Sequence, residues 1–327
     1  MKPIFTEVAV ALFMGLVLPG MILGAAVAIR GRPDTEETEP VTTEQTQVHA
    51  PDLTQISVLF RGNDGTVREM DMDTYLVGVV CAEMPASFEP EALKAQAVVA
   101  RTYALKAKTT GGKHGDGSVC GDYACCQAYI PEVEFVAKGE REDDLEKITN
   151  AVYATSGYVL TYEGSLIEAT YFSCSGGTTE DAAAVWGSDF PYLRATDSPG
   201  EENAAYYTDS VYISRDKLAS SLGITLGSDP DSWFGLTTYT AGGGVNTMVI
   251  GGKEFRGTEL RMTLGLRSTA FSVTPDEGGV TFTTRGYGHR VGMSQYGADA
   301  MAASGSDFAE ILSHYYRGTL LTKWEEN

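Results

Sequence analysis

Residues Asp73 to Lys108 read DTYLVGVVCAEMPASFEPEALKAQAVVARTYALKAK, the pattern of two helices around a turn with a single carboxylate, Glu83, at the elbow. In the first arm Tyr75, Leu76, Val79 and Val80 recur at helical spacing behind Asp73, a residue suited to an N-cap, and Pro85 stops the arm. Glu83 is therefore expected at a helix C-terminus, where unpaired backbone carbonyls disfavour a further negative charge. Its apolar neighbours Val79, Val80 and Met84 act in the same direction, so its pKa should rise. A carboxyl group kept protonated near neutral pH is what a general acid requires. A solvated helix-end residue is the alternative that position alone leaves open.

The second arm is expected to begin near Ser87, to carry Pro90 in its first turn and to run to about Lys108. Its alanines at 92, 95, 97, 100, 104 and 107 favour helix and let another element approach closely, as in a packed central helix. Gln96 and Tyr103 share one face, and Lys94 and Arg101 another, so polar groups stand in lines that suit a polar ligand. A half-exposed helix with snorkelling Lys and Arg fits the same spacing.

Upstream, Val8 to Ile29 form an uncharged run long enough to cross a bilayer of roughly 30 Å, read as a membrane anchor within residues 1–29. A cleaved signal peptide is the rival, with Ala26-Val27-Ala28 as the cleavage site, although the apolar core is long for one. Residues 30–50 are polar, acidic and without apolar periodicity, which marks a disordered spacer. Residues 51–327 supply an ample core for the rest of the protein, expected outside the membrane. The net charge of −20, from 24 basic and 44 acidic residues, excludes nucleic acid as a natural partner and disfavours a surface lying flat on anionic lipid.

Within 51–327 the fold class reads as mixed α+β. Ile56 to Met70 alternates around Asn63-Asp64-Gly65 as a hairpin, and Leu145 to Ala154 is amphipathic. Strands flank the Tyr162-Glu163-Gly164-Ser165 turn, and a second hairpin joins 270–274 to 280–284. Antiparallel hairpins with separate helices, rather than alternating β-α-β units, are the expectation.

Two other stretches can carry chemistry. Arg285 to Met301, RGYGHRVGMSQYGADAM, interleaves glycines with Tyr287, His289, Ser294, Gln295 and Tyr296, so the backbone can approach a ligand while side chains offer hydrogen bonds and stacking planes. A plain strand-to-helix connection, with Ser294 capping a helix to Ala303, fits the glycines equally well. Ser173 to Thr178 is a further small-residue turn that suits the same pocket. Of five cysteines, Cys120 and Cys126 follow His114 as H-x5-C-x5-C in a Gly-rich loop. That donor set suits tetrahedral zinc, while a disulfide from Cys120 to Cys125 or Cys126 fits the same spacing.

The stretches TYLVGVVCAEMP, ALKAQAVVARTYAL, YFSCSGGTTEDAAAVWG with FPYLRATDSP, and GYGHRVGMSQYGADAMA resemble, in this order, the sporulation protein family known as SpoIID and its amidase-enhancer (LytB-like) relatives. The resemblance runs from about residue 55 to 318. It implies a membrane-anchored lytic transglycosylase, with its catalytic domain extracytoplasmic, that cuts peptidoglycan stripped of stem peptides during forespore engulfment. Its implied partners are a SpoIIP-like amidase and endopeptidase and a SpoIIM-like membrane protein. The family's catalytic glutamate falls on Glu83. Zinc ligands of some members fall on His114, Cys120 and Cys126, in a structural rather than catalytic role. By the same resemblance Lys94, Gln96, Arg101, Tyr103, Ser173, Tyr287, His289, Ser294 and Gln295 line the glycan groove.

Ordinary glycosidases use two carboxylates. The implied chemistry manages with one: Glu83 protonates the oxygen between N-acetylmuramic acid and N-acetylglucosamine, then takes the proton of the muramoyl 6-hydroxyl as it attacks the anomeric carbon, leaving a 1,6-anhydro end. Two other classes stay open, a non-catalytic peptidoglycan-binding enhancer of a cell-wall amidase and a zinc hydrolase.

Overall fold

Val58 and Phe60 turn inward from strand β1 (Ser57–Arg61), which pairs antiparallel with β2 (Val67–Asp71), the hairpin its alternation predicts. This computed structural model describes residues 56–139 and 141–325, and Ala50–Asn327 cluster as one unit. The expected anchor and spacer lie outside the described residues; among those described, no helix is long and apolar enough to cross a membrane.

Helix α1 (Met72–Glu83) follows at once. Its N-cap is Asp71, whose Oδ1 accepts from the Thr74 N–H at 2.8 Å, so the expected cap at Asp73 is corrected by two residues. Asp73 instead lies inside the helix, buried against Arg101 at 2.8 Å. Nearly every side of α1 is covered, as its all-round apolar sequence requires. Helix α2 (Pro90–Thr110) starts three residues later than Ser87, with Pro90 at its first position, where a missing N–H costs nothing. Its alanines are buried, and it packs on α1 and on the later helical segments Glu142–Ala154, Gln295–Ala303 and Phe308–Tyr315 as the central element.

The chain then places β3 (Val119–Cys120) parallel to β1, followed by α3 (Glu132–Ala137) and α4 (Glu142–Ala154), the latter three residues longer at its start than the amphipathic pattern suggests. The hairpin β4 (Tyr158–Tyr162) and β5 (Ser165–Leu166) forms at the expected turn. Next come β6 (Tyr171–Phe172) and α5 (Ala182–Trp186).

A second hydrophobic cluster occupies the following stretch. It is built from β7 (Thr208–Ser214), α6 (Arg215–Leu222), β8 (Phe234–Tyr239), β9 (Val245–Ile250), β10 (Lys253–Arg256), α7 (Gly257–Leu264), β11 (Phe271–Asp276) and β12 (Gly279–Arg285). Two three-stranded antiparallel sheets, β10-β9-β8 and β11-β12-β7, enclose Leu218, Trp233 and Phe282. The expected second hairpin is β11–β12. The chain returns to the first cluster through β13 (Met293–Ser294), α8 (Gln295–Ala303), α9 (Phe308–Tyr315) and β14 (Leu320–Lys323), the last pairing with β4.

The architecture is mixed α+β with antiparallel sheets, as expected, but β1–β3 and β6–β13 pair in parallel over two residues each. Pairings so short leave no alternation to read. Where the clusters meet, Arg290 holds a buried ion pair with Glu180 at 3.1 Å and donates to the carbonyls of Ser175 (2.7 Å), Thr178 (2.6 Å) and Gly242 (2.8 Å). Arg290 has φ +65, a backbone conformation costly for a non-glycine residue that this web of bonds holds in place.

Candidate functional site

Helix α1 delivers Glu83 at its last position; Pro85 prevents a further turn. The Glu83 side chain is half-buried, and its Oε1 accepts from the Ala128 N–H at 2.7 Å. Burial raises its pKa, and the Ala128 N–H, then the Tyr171 hydroxyl and the Gln295 amide, offset only part of that rise. The cause that dominates is desolvation, as the apolar neighbours Val79, Val80 and Met84 lead one to expect. The segment carrying Ala128 can lie this close because of Gly78. A side chain there would collide with the Tyr129 ring, and the Gly78 carbonyl accepts from the Ile130 N–H at 3.1 Å.

Around the acid stands a polar wall from distant parts of the chain. The Tyr171 hydroxyl donates to Gln127 Oε1 at 3.2 Å, and Gln127 Nε2 donates to the Tyr75 hydroxyl at 3.2 Å. Gln295 is buried beside Glu83, yet its Nε2 closes no hydrogen bond of good geometry with any protein group. Ser294 explains its placement: its Oγ caps α8 through the Gly297 N–H, so Gln295 opens the helix at the site. Gly292, at φ +84, lets this segment lie directly against the Thr170 carbonyl, where any side chain would collide.

His289 sits further along the same loop. Its ring lies 5.6 Å from Phe172 and 5.3 Å from Trp186, and its Nδ1 accepts from the Val291 N–H at 3.1 Å. Burial, helped by the charge of Arg261, pushes its pKa down to about 4, so the ring is neutral near neutral pH with its proton on Nε2. Tyr287 pairs its backbone with Cys174 through bonds of 2.7 and 3.1 Å, which joins the loop to the Ser173–Thr178 turn as the sequence suggested.

The loop before Ala128 gathers His114, Cys120, Cys125 and Cys126, with ligand atoms all within 4.8 Å of one another. His114 Nε2 is 3.7 Å from Cys125 Sγ and 3.6 Å from Cys126 Sγ, and those two sulfurs are 3.8 Å apart. Zinc bonded at about 2.3 Å to sulfur and about 2.1 Å to nitrogen sets tetrahedral edges of about 3.8 Å and about 3.6 Å. The spacings among His114, Cys125 and Cys126 therefore fit the ion, with Cys120 in the same cluster. Cys120, Cys125 and Cys126 are free thiols, so no disulfide takes the place of this cluster. Burial and the neighbouring sulfurs push the Cys125 thiol up to about 11, the reverse of the thiolate a metal requires, and a bound cation would invert that effect. Four protein donors would fill a tetrahedron around such an ion and leave no open position for a reacting water, the pattern of a structural site. The expected ligands His114, Cys120 and Cys126 come together; the fourth, Cys125, entered the sequence reading only as a disulfide candidate.

The other expected groove residues scatter. Tyr103 stands between the two centres, with Cys126 as its hydrogen-bonding neighbour. Gln96 is fully buried, and neither polar atom of its amide has a protein partner. Ser173 supplies a carbonyl that accepts from the Tyr296 N–H at 3.0 Å. Lys94 is tied to Glu91 at 2.6 Å, beside α4. Arg101 is enclosed, bonded to Asp73 and to the carbonyls of Thr155 (2.8 Å) and Tyr158 (3.2 Å). Asp73 and Glu83 are ten residues apart on α1, about 15 Å along the axis, so Arg101 braces the end of the helix away from the acid. Sequence reasoning missed Tyr171, Gln127, Ala128 and Trp186. Tyr171 and Trp186 lie inside the YFSCSGGTTEDAAAVWG motif, the one signal that pointed to them.

Fold and site together define an α+β domain that presents one half-buried acid, backed by a closed His/Cys cluster and a Gly-rich loop. A family model described as "SpoIID: Stage II sporulation protein" matches residues 61–162, the segment that holds the acid and the cluster. The chain is 38% identical over 289 residues to stage II sporulation protein D of Bacillus amyloliquefaciens, covering 87% of this chain and 81% of that protein. Against stage II sporulation protein D of Bacillus subtilis (strain 168) it is 38% identical over 270 residues, 81% of this chain and 78% of the relative. An amidase enhancer of the same strain is 32% identical over 309 residues, 76% of this chain but 40% of that longer protein. The chain belongs to the stage II sporulation protein D family.

Proposed function

We propose that this sporulation-family protein is a peptidoglycan lytic transglycosylase in which Glu83 acts first as acid and then as base. The observation that carries this is the state of Glu83. Its pKa is raised by burial, and the groups acting on it are a backbone N–H, a phenol and an amide rather than a second carboxylate. That is the arrangement for a proton given to a glycosidic oxygen and then recovered from the muramoyl 6-hydroxyl. The Gln295 amide and the Tyr171 hydroxyl beside it are placed to orient the sugar as the bond opens.

In this reading residues 8–29 anchor the chain, and the domain works outside the membrane on glycan strands freed of stem peptides, next to a SpoIIP-like amidase and endopeptidase and a SpoIIM-like membrane protein. Zinc held by His114, Cys120, Cys125 and Cys126 supplies a fixed point for the loop; the protein's own part is that this loop carries Gln127 and Ala128 to the acid. The likeness to an amidase enhancer supports a second reading, a glycan-binding module that stimulates an amidase without cutting. Digestion of peptide-free glycan strands with the full chain, followed by mass spectrometry, separates the two. Anhydro ends that vanish in Glu83→Gln support the transglycosylase; strands bound but left intact by the unaltered chain support the enhancer.

A further inference from the structure

Gln127 is buried behind the acid, and its amide is fixed at both ends. Nε2 donates to the Tyr75 hydroxyl at 3.2 Å and to the Ala100 carbonyl at 3.4 Å. Both of its hydrogens are thereby spent, and turning the amide over would set Oε1 against the Ala100 carbonyl, oxygen to oxygen. Oε1 is therefore held as an acceptor, and the Tyr171 hydroxyl donates to it at 3.2 Å.

That same hydroxyl faces Glu83. A phenol carries a single hydrogen and gives it to one acceptor at a time. Burial holds the Tyr171 pKa well above its ordinary value, so the hydrogen stays on its oxygen and can only turn. Tyr75 on α1 and Tyr103 on α2, the other titratable groups packed around Tyr171, are raised by burial as well and remain neutral. Among the described residues no cation or second carboxylate is among the groups acting on Glu83. Competition for one hydrogen is what links Glu83 to Gln127.

We infer that Gln127 is a positioning residue for the acid–base exchange: its Oε1 takes the Tyr171 hydrogen while Glu83 is protonated and yields it once Glu83 is a carboxylate. The inference rests on the proposed function and adds to it a residue that acts through another. With Glu83 protonated, the Ala128 N–H occupies its Oε1, the acid hydrogen sits on Oε2, and the Tyr171 hydrogen lies on Gln127. When the glycosidic oxygen takes the acid hydrogen, the Tyr171 hydrogen turns to the carboxylate. Gln127 Oε1 is then left buried without a donor, a penalty that favours the step in which Glu83 recovers a proton from the 6-hydroxyl. The Tyr171 hydrogen turns back as that proton arrives. It leaves the phenol oxygen in neither step; only its torsion changes.

Full-length protein, labelled with carbon-13 at the side-chain carbonyls of glutamate and glutamine, is titrated by NMR unaltered and as Gln127→Met, Tyr171→Phe and the double variant. Gln127→Met removes the rival acceptor, leaves the Tyr171 hydrogen to Glu83 alone, and should lower the Glu83 midpoint by about one pH unit. In the Tyr171→Phe background the same change should leave the midpoint where it was. A Gln127 that merely propped the loop would act through Ala128: its loss would weaken that N–H and raise the midpoint in both backgrounds. A raised or unmoved midpoint in Gln127→Met therefore overturns the inference. Should Gln127→Met not fold, the unaltered chain decides. Its Gln127 carbonyl resonance should shift at the Glu83 midpoint and lose that shift in Tyr171→Phe; no shift, or one that survives in Tyr171→Phe, overturns the inference. Anhydro ends are read separately on peptide-free strands. Coupling in a chain that makes no such ends keeps the Gln127 link and sinks the transglycosylase; ends made without coupling do the reverse.

Discussion

Glu201 and Glu83 are both drawn out of bulk water, but their oxygens are treated differently. Glu201 is 1% exposed, and both of its oxygens are saturated with donors. Oε2 accepts from the N–H groups of Ser175 (2.6 Å) and Gly176 (3.1 Å) and from Cys174 Sγ (3.0 Å), while Oε1 accepts from the hydroxyls of Ser175 (2.9 Å) and Ser198. That carboxylate fixes the Ser173–Thr178 turn, which in turn fixes Tyr287. Glu83 has one short backbone donor and a burial cost that its neighbours do not cancel. The contrast separates a carboxylate used as mortar from a carboxyl group kept ready to release a proton.

The largest effect that tests this contrast is on catalysis. Glu83→Gln should lower the yield of anhydro ends by about a thousandfold, within the range of a lost general acid, and leave the thermal midpoint nearly unchanged. Glu201→Gln should do the reverse, lowering the midpoint through loss of about 2 kcal/mol of stability from its donor-rich pocket. A variant pair in which both lose folding would erase the distinction. Next in size, Arg290→Met leaves Glu180 buried without its cation and should cost about 3–5 kcal/mol in denaturant unfolding.

Removing the metal comes third. The cluster residue Cys126 lies two positions before Ala128, so a loosened loop should move the N–H that Glu83 accepts. Chelation is expected to lower activity about tenfold and to release one zinc ion per chain, read by atomic absorption. Full activity in stripped protein would show that Ala128 needs no such support.

The smallest effect concerns pH. Glu83 must be protonated to act, so the rate should fall as pH rises through its raised pKa. The Tyr171 hydroxyl lowers that pKa, so Tyr171→Phe should move the falling limb to higher pH. The sign for stability is the same: what Glu83 contributes is complete at acidic pH and is lost as pH rises through the folded-state value.

The elbow, the long central helix and the three hairpins were legible because their signals are local: helical recurrence, alternation and turn residues. Asp71 and Asp73 offer equal capping chemistry, and the partners that draw Asp73 inward, Arg101 and Ser156, lie 28 and 83 residues away. Lys94 and Arg101 show the same limit. Helical spacing gives a shared face, but not whether that face meets a ligand or an ion pair inside the protein. Ala128 reaches Glu83 across 45 residues, and Arg290 joins Glu180 across 110, so neither contact leaves a trace in local pattern. Cys125 was visible but ambiguous, since adjacent cysteines suit a disulfide partner and a fourth ligand alike until distances are known.

The most direct measurement is the titration of Glu83 itself, followed by carbon-13 NMR of glutamate-labelled protein and assigned by difference against Glu83→Gln. A midpoint displaced upward from the ordinary glutamate value, and displaced further upward in Tyr171→Phe, is the expected result. A midpoint at or below the ordinary value would mean that Glu83 is ionised where it must carry a proton, and would contradict its role as the acid.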